Sequence, residues 1–250
     1  MKVSSIPAVT IQRTIRKQKA VKEFQTLKRA VTKFQARFRG HQSRNQQLLQ
    51  AAKIGNIKRT ENLIKHGAKI NATNKNDETA LYLATKYNHV KAVQLLLDNG
   101  ADANARNNNG STALHRAVCN NNVKIVQLLL DNGADVNARN NNGSTALQRA
   151  VDNKHVEIVQ LLLSKGADVN AKDNSGRIIL NNAVFLGNVK IVKALINAGA
   201  DIEAKITSLP IIHFSIWIGQ KDIANLLSEA GANIAYRGRE KKINSTAWGS

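Results

Sequence analysis

A block of 33 residues occurs twice in succession in this chain, which limits the folds that the chain can adopt. Residues 98–130 read DNGADANARNNNGSTALHRAVCNNNVKIVQLLL, and residues 131–163 repeat this text with six differences among 33 positions. Glycines keep the same register outside the duplicate, at intervals of 33 residues from Gly67 to Gly199, and then after 32 residues at Gly231. A fixed period of this length predicts an array of stacked units in which each unit contacts only its neighbours.

A short signature stands at the same place in three of the periods. It reads TALYLA from Thr79, TALHRA from Thr112 and TALQRA from Thr145. This resembles the T-P-L-H-x-A signature of ankyrin repeats. The resemblance implies an all-α solenoid of about six helix-turn-helix units with hairpin loops. It also implies that His115 and His213, at the signature's histidine position, tie neighbouring turns together.

The register divides the chain into three parts. Residues 45–236 form the predicted repeat array, in which the first and last units are degenerate caps. The first unit places Arg59 where later units have Ala92 or isoleucine, as expected for an end unit whose outer face lacks a neighbour. The fifth unit has Ile178 in place of the threonine that would cap its first helix. Residues 237–250 are basic and aperiodic, and predict a tail.

Residues 1–44 differ in composition from the rest of the chain. They contain twelve Lys or Arg residues and one acid, Glu23, so they supply +11 of the chain's net charge of +20. Their apolar residues include Phe24, Leu27, Val31, Phe34 and Phe38, whose steps of three and four place them on one face of a helix. Gly40 is a natural C-terminal stop for such a helix. The pattern predicts a basic amphipathic helix, an element typical of partner binding or membrane surfaces.

Within this helix, residues 34–44 read FQARFRGHQSR. The segment resembles a complete IQ motif, the calmodulin-family recognition segment, at Phe34, Gln35, Arg39, Gly40 and Arg44. The resemblance implies a calmodulin-like partner, with Phe34 and Phe38 entering its apolar groove and Arg39 and Arg44 meeting its acidic rim.

Three other interpretations of the basic helix remain open at this stage. It could fold onto the first repeat as an N-terminal cap, with Phe34 and Phe38 buried. It could be a transit-type presequence, since it is basic, amphipathic and nearly free of acids. It could bind nucleic acid or an anionic membrane through its charge, although phosphate binding does not need an apolar stripe.

No residue pattern in the sequence predicts catalysis or a cofactor. The six histidines do not cluster with Cys119 or with carboxylates at metal-ligand spacing, and no phosphate-binding glycine loop precedes a helix. The single cysteine excludes an internal disulfide framework and indicates a reducing compartment such as the cytoplasm. The Asn- and Lys-rich wording of the repeats resembles ankyrin proteins of AT-rich intracellular bacteria, some of which act inside a host cell.

The repeat array instead offers a surface, because ankyrin partners commonly contact the hairpin tips and the exposed side of the first helices. Mapped onto this chain, the tips carry one cation per unit: Arg106, Arg139, Lys172, Lys205 and Arg237. The repeat consensus also favours Lys or Arg at this position, independently of any partner. The exposed side of the first helices is expected to present Leu83, Lys86, Tyr87, Arg116, Cys119, Arg149, Asp152, Phe185, Phe214 and Trp217. Aromatic residues dominate binding hot spots.

These observations predict a monomeric, non-enzymatic adaptor without a cofactor. Its repeat surface would bind a protein partner, for which the net positive charge favours an acidic one. Its basic helix would bind a calmodulin-like protein at residues 34–44. The rival hypothesis is a nucleic-acid or anionic-membrane binder, whose affinity would fall steeply with salt.

Overall fold

The computed structural model describes residues 8–206 and 209–234, and within them the side chains other than those of residues 8–18, 20, 36–39 and 41. This part of the chain is a row of paired helices stacked in sequence order. Each unit consists of a first helix and a second helix. In chain order the pairs are α1 (Ala8–Lys53) and α2 (Ile57–Lys65), α3 (Ala80–Lys86) and α4 (Val90–Asp98), α5 (Ala113–Cys119) and α6 (Val123–Asp131), α7 (Ala146–Asp152) and α8 (Val156–Ser164), α9 (Ile179–Phe185) and α10 (Val189–Asn197), and α11 (Ile211–Trp217) and α12 (Lys221–Glu229). The predicted all-α solenoid of about six units is confirmed.

Each first helix is short and rich in small residues, which lets its neighbours approach closely. In α5, Ala113 and Ala117 are buried, as are Ala146 and Ala150 in α7. The second helices supply the larger side chains of the core, such as Leu129 in α6, which is fully buried. First helices contact first helices and second helices contact second helices, so one continuous core runs along the array.

The predicted helix caps are formed by the threonines that begin α3 and α7. The Thr79 hydroxyl accepts a hydrogen bond from the backbone N–H of Tyr82 at 3.2 Å, and the Thr145 hydroxyl does the same for Gln148 at 3.3 Å. Ile178 makes no side-chain cap, as its side chain has no acceptor. Two short strands, β1 (Lys205–Ile206) and β2 (Leu209–Pro210), pair in an antiparallel manner before the sixth unit.

A ladder of asparagines connects the turns that follow the second helices. The amide oxygens of Asn71, Asn104, Asn137 and Asn170 each accept from the backbone N–H of the aspartate 31 residues later. Three of these side chains also donate to the carbonyl oxygen of the next closing glycine. Because each bond joins adjacent units, the ladder fixes the stacking as well as the turns.

The first helix of the array is much longer than the others and corrects the predicted stop at Gly40. Helix α1 has 46 residues and passes through Gly40 without interruption before its last turns join the repeat core. The predicted boundary between residues 44 and 45 therefore lies inside one helix. No loop separates the basic segment from the array, so the orientation of the segment is set by the packing of the C-terminal turns of α1.

Candidate interaction surfaces

The part of α1 that precedes the array carries apolar side chains in solvent. Phe24 is 62% exposed, Leu27 is 64% exposed and Phe34 is 70% exposed. Lys22, Lys28 and Lys33 lie exposed on the same helix. If this segment were a cap, Phe34 would be buried against the first repeat. The exposure of Phe34 contradicts that interpretation. The side chain of Phe38 lies outside the described residues.

The other positions of the IQ-like motif lie on the same uninterrupted helix. The Gln35 side chain is exposed, and Arg44 is half-buried next to the array. A methyl group added at Gly40 would meet only the Arg44 guanidinium, at 4.0 Å. A glycine in a helix interior costs about 0.5–1 kcal/mol relative to alanine. Nothing within the described part of this chain requires a glycine at that place. The side chain of Arg39 lies outside the described residues.

The motif adjoins the first repeat through polar contacts. The Asn45 side chain accepts from the backbone N–H of Lys69 at 2.9 Å, so it begins the asparagine ladder described above. The Arg59 guanidinium donates to the amide oxygen of Gln47 at 3.4 Å. Leu48 and Ala52, immediately beyond, are fully buried in the repeat core. Residues 45–53 of α1 are thus held by the array, whereas residues 21–35 are exposed to solvent.

The cation row of the hairpin tips contains two kinds of residue. The Arg106 guanidinium donates to the backbone carbonyl of Arg139, and the Arg139 guanidinium donates to the carbonyl of Lys172 at 2.6 Å. These two arginines therefore connect successive tips, which is a structural role. The ammonium groups of Lys172 and Lys205 make no hydrogen bond or ion pair within the described residues, and both residues are exposed. The described tips thus present Arg and Lys residues only, which makes the row electropositive. Arg237, the fifth predicted tip cation, lies outside the described residues.

The exposed side of the first helices forms a strip that we term the first-helix face. In each of the helices α5, α7, α9 and α11, two residues three positions apart lie on this side and are at least partly exposed: Arg116 and Cys119, Arg149 and Asp152, Asn182 and Phe185, and Phe214 and Trp217. Leu83, which was expected on this side, is buried instead. Contacts between units connect the strip. The Arg149 guanidinium lies 4.0 Å from the Cys119 sulfur, and the Asn182 amide donates to the Asp152 carboxylate. Tyr87, at the end of α3, lies under the ammonium group of Lys53, which is 5.6 Å from the ring centroid.

Asn182 is the member of this face that the sequence interpretation did not include. It stands in the register of Arg116 and Arg149, and that register was the signal that could have identified it. Asp152, its acceptor, has a pKa raised by the partial burial of its carboxylate, an effect that Arg177 and Arg149 oppose. Arg177 itself pairs with Asp173 at 2.7 Å. Polar groups of units four and five therefore meet in one shallow crevice between α7 and α9.

His115 is buried and serves the array rather than the exposed face. Its Nε2 atom lies 3.0 Å from the Ser144 carbonyl oxygen, and the backbone N–H of Thr112 donates to Nδ1 at 3.3 Å. This confirms that His115 ties neighbouring turns together. Desolvation by burial lowers its pKa to about 4. A group held neutral in this way carries no charge to the surface at neutral pH.

The described residues contain no group of three or more His, Cys, Asp or Glu side chains that could hold a metal ion. In the same part of the chain, no helix is both long and apolar enough to span a membrane. Cys119, half-buried at the end of α5, is a free thiol. These observations leave the exposed helix and the first-helix face as the surfaces with distinctive chemistry.

Comparison with known protein families identifies both parts of the chain. The family described as ankyrin repeats (three copies) matches residues 48–140 and 137–206. The IQ calmodulin-binding motif matches residues 28–47, a range that includes Phe34, Gln35, Arg39, Gly40 and Arg44. A comparison with curated proteins finds no match. The ankyrin match covers more than half of the chain, and the helix pair formed by α11 and α12 continues the same architecture beyond it. The chain belongs to the ankyrin-repeat family and carries an IQ motif on the helix that begins its repeat array.

Proposed function

We propose that this protein is a non-enzymatic adaptor that binds two partners, one on the exposed part of α1 and one on the repeat array. Ankyrin repeats and an IQ motif both indicate protein–protein interaction. One observation carries the adaptor role: α1 is continuous from the IQ segment into the repeat core. A partner bound to the helix would therefore be held at a fixed orientation to a partner bound to the array.

The partner of α1 is best described as a calmodulin-like protein. Phe34 presents a large apolar side chain to solvent, and basic residues surround it on the helix. An amphipathic helix of this kind binds by placing its apolar side chains in a groove, while acidic residues around the groove meet its cations. Gly40 also supports the proposal. The described part of the array does not require a glycine there, whereas a partner that packs closely against the helix backbone needs a residue without a side chain.

The experiment is a calorimetric titration of the full chain with calmodulin, with and without calcium. Phe34→Ala removes an exposed aromatic inside the matched segment and should weaken binding by about 2–4 kcal/mol. Phe24→Ala is the matched control, since Phe24 is exposed to a similar extent but lies outside residues 28–47. Binding that is absent in both calcium states, or equally weakened by the two substitutions, would contradict the proposal.

Binding to an anionic membrane is the second candidate, and the exposed side chains of α1 favour it over nucleic acid. Val21, Phe24 and Leu27 are exposed beside the lysines, and a lipid surface would bury them, whereas phosphate contacts would not. Vesicles containing phosphatidylserine distinguish this function from the first. A membrane-binding helix should lose affinity alike on Phe24→Ala and Phe34→Ala, and should lose most of it at high salt.

A further inference from the structure

The first-helix face changes its chemistry along the array, and this change indicates the kind of partner it binds. Units three and four present the basic residues Arg116 and Arg149. Units five and six present the aromatic residues Phe185, Phe214 and Trp217. The two parts are adjacent, because consecutive first helices pack against each other.

The basic part has hydrogen-bond donors without acceptors. The Nε atoms of Arg116 and Arg149 are both buried and have no hydrogen-bond partner. Neither guanidinium lies within ion-pair distance of a carboxylate in the described part of the chain. A guanidinium binds a carboxylate or phosphate with paired, charge-assisted hydrogen bonds. Because neither arginine has a carboxylate partner, the terminal nitrogens of each can pair with one such group, although one of those of Arg149 also contacts the Cys119 sulfur at 4.0 Å.

The aromatic part is exposed to solvent, and its most exposed ring lies beside a half-buried one. Trp217 is 74% exposed, and its ring centroid lies 5.9 Å from that of the half-buried Phe214. Phe185, in the same position one unit earlier, is 67% exposed. Rigid aromatic side chains held by neighbours lose little conformational entropy when a partner covers them, which makes them effective anchors.

We infer that the first-helix face binds an extended acidic segment of a partner protein, with a large apolar residue at one end of it. This inference rests on the proposed role of the array as a binding surface and specifies the chemistry of its partner. Carboxylates of the segment pair with Arg116 and Arg149, and the apolar residue covers Trp217. The Asp152 carboxylate, which lies between the two parts, accepts from the Asn182 amide and is near the guanidinium of Arg149. It therefore does not stand as an isolated negative charge in the strip.

The spacing of the units sets the spacing of the ligand. Packed helices lie about 8–10 Å apart. A polyproline II segment rises about 3.1 Å per residue with three residues per turn, so its side chains recur on one side every third residue, at about 9 Å. Arg116 and Arg149 are one unit apart, and Phe214 and Trp217 follow Arg149 by two units. The matching segment thus has two acidic residues three positions apart and an apolar residue six positions further on.

The test uses the full chain with Trp248→Phe, which leaves Trp217 as its only tryptophan. The peptide EPPEPPAPPL and its reverse, LPPAPPEPPE, present the predicted spacing in the two chain directions. We expect one of them to bind and to change the fluorescence of Trp217. The peptide QPPQPPAPPL, which lacks the carboxylates, should bind at least tenfold more weakly, as expected for the loss of charge-assisted hydrogen bonds.

Variants assign the binding to the two halves of the face. Arg116→Gln and Arg149→Gln should each weaken the acidic peptide about tenfold and leave the weak binding of the glutamine peptide unchanged. Lys124→Gln and Lys190→Gln remove the same charge from exposed positions on the second helices and should have no effect. Phe185→Ala should weaken both peptides. Circular dichroism of every variant establishes that its fold is intact.

Three outcomes would overturn the inference. Neither acidic peptide binds, or the lysine controls weaken binding as much as the arginine variants, or the fluorescence of Trp217 stays unchanged while the peptide binds elsewhere. If protein partners captured by the array still depend on Arg116 and Arg149 in the first case, the proposed function stands and only the chemistry of the segment is wrong.

Discussion

The Nε2 atom of His115 lies 3.0 Å from the carbonyl oxygen of Ser144, in the turn that begins the following unit. In that following unit, Gln148 occupies the register of His115 and makes equivalent contacts. Its amide oxygen accepts from the Thr145 N–H at 2.9 Å. Its amide nitrogen donates to the carbonyl of Arg177, the counterpart of Ser144, at 3.5 Å and to that of Ala171 at 3.3 Å. Two side chains of different chemistry thus perform one structural task, but only one of them can titrate.

The buried histidine should make the stability of the array depend on pH. Burial lowers the pKa of His115 from 6.5 to about 4. Between these values the unfolded chain takes up a proton that the folded chain does not, so the free energy of unfolding falls as pH falls. Above pH 6.5 the titration of His115 takes nothing from the free energy of unfolding. Near pH 4 the loss of unfolding free energy reaches at most about 3 kcal/mol, at about 1.36 kcal/mol per pKa unit. Urea unfolding at several pH values measures this slope.

The neighbouring unit supplies the control for that experiment. His115→Gln copies the arrangement of Gln148 and should remove this part of the pH dependence while keeping the turn connected. Equal slopes for the parent chain and the variant would show that His115 does not titrate as its burial implies.

Two glycines in equivalent turns should respond differently to the same substitution. Gly143 has a φ of +73°, and an added Cβ would lie 2.2 Å from the Asn174 side-chain oxygen and 2.8 Å from its backbone nitrogen. Gly176 has a φ of +74° but has no atom within 4 Å of such a Cβ. Gly176→Ala should therefore cost about 1–2 kcal/mol from the backbone conformation alone. Gly143→Ala should cost more, because the Asn174 turn must also move. Thermal unfolding measures the stability of both variants. Equal losses of stability would contradict the close contact between Gly143 and the Asn174 turn.

The tip cations should separate into structural and free residues. Arg139→Ala removes a hydrogen bond to the Lys172 carbonyl and should lower stability by about 0.5–1.5 kcal/mol. Lys172→Ala, at the equivalent tip of the next unit, should change stability by less than about 0.5 kcal/mol. Denaturant midpoints compare the stabilities of the two variants directly when their unfolding curves have equal slopes. A loss on Lys172→Ala as large as that on Arg139→Ala would show that the tip contacts do not carry this stability.

The sequence predicts the solenoid because its constraints are local and repeat at one period. Each unit needs the same cap, the same small residues and the same turn glycine, so Thr79, Thr112 and Thr145 could be assigned roles without a structure. The asparagine ladder was not predicted. Each asparagine amide of this ladder bonds to backbone groups of the next unit. Backbone groups do not depend on residue type, so the sequence gives no signal of these bonds.

Helix α1 shows why the candidate site was predicted only in part. The IQ positions could be identified from residue types, but the helix was expected to end at Gly40. Glycine ends a helix when it adopts a positive φ, and Gly40 remains helical instead. Its helical cost of about 1 kcal/mol is small, and the packing of Leu48 and Ala52 fixes the following turns. The sequence likewise could not show that Arg106 and Arg139 connect successive tips, because their acceptors are backbone carbonyls 33 residues away.

If one continuous helix joins two independent binding surfaces, as we propose, altering one surface should leave the partner of the other in place. The most direct measurement is quantitative affinity capture with the full chain and two variants, Phe34→Ala and the double variant Arg116→Gln with Arg149→Gln. We predict that Phe34→Ala loses calmodulin-like proteins only, and that the double arginine variant loses a different, non-overlapping set. If both variants lose the same proteins, or if neither loses any that the parent chain captures, the claim of two binding surfaces is wrong.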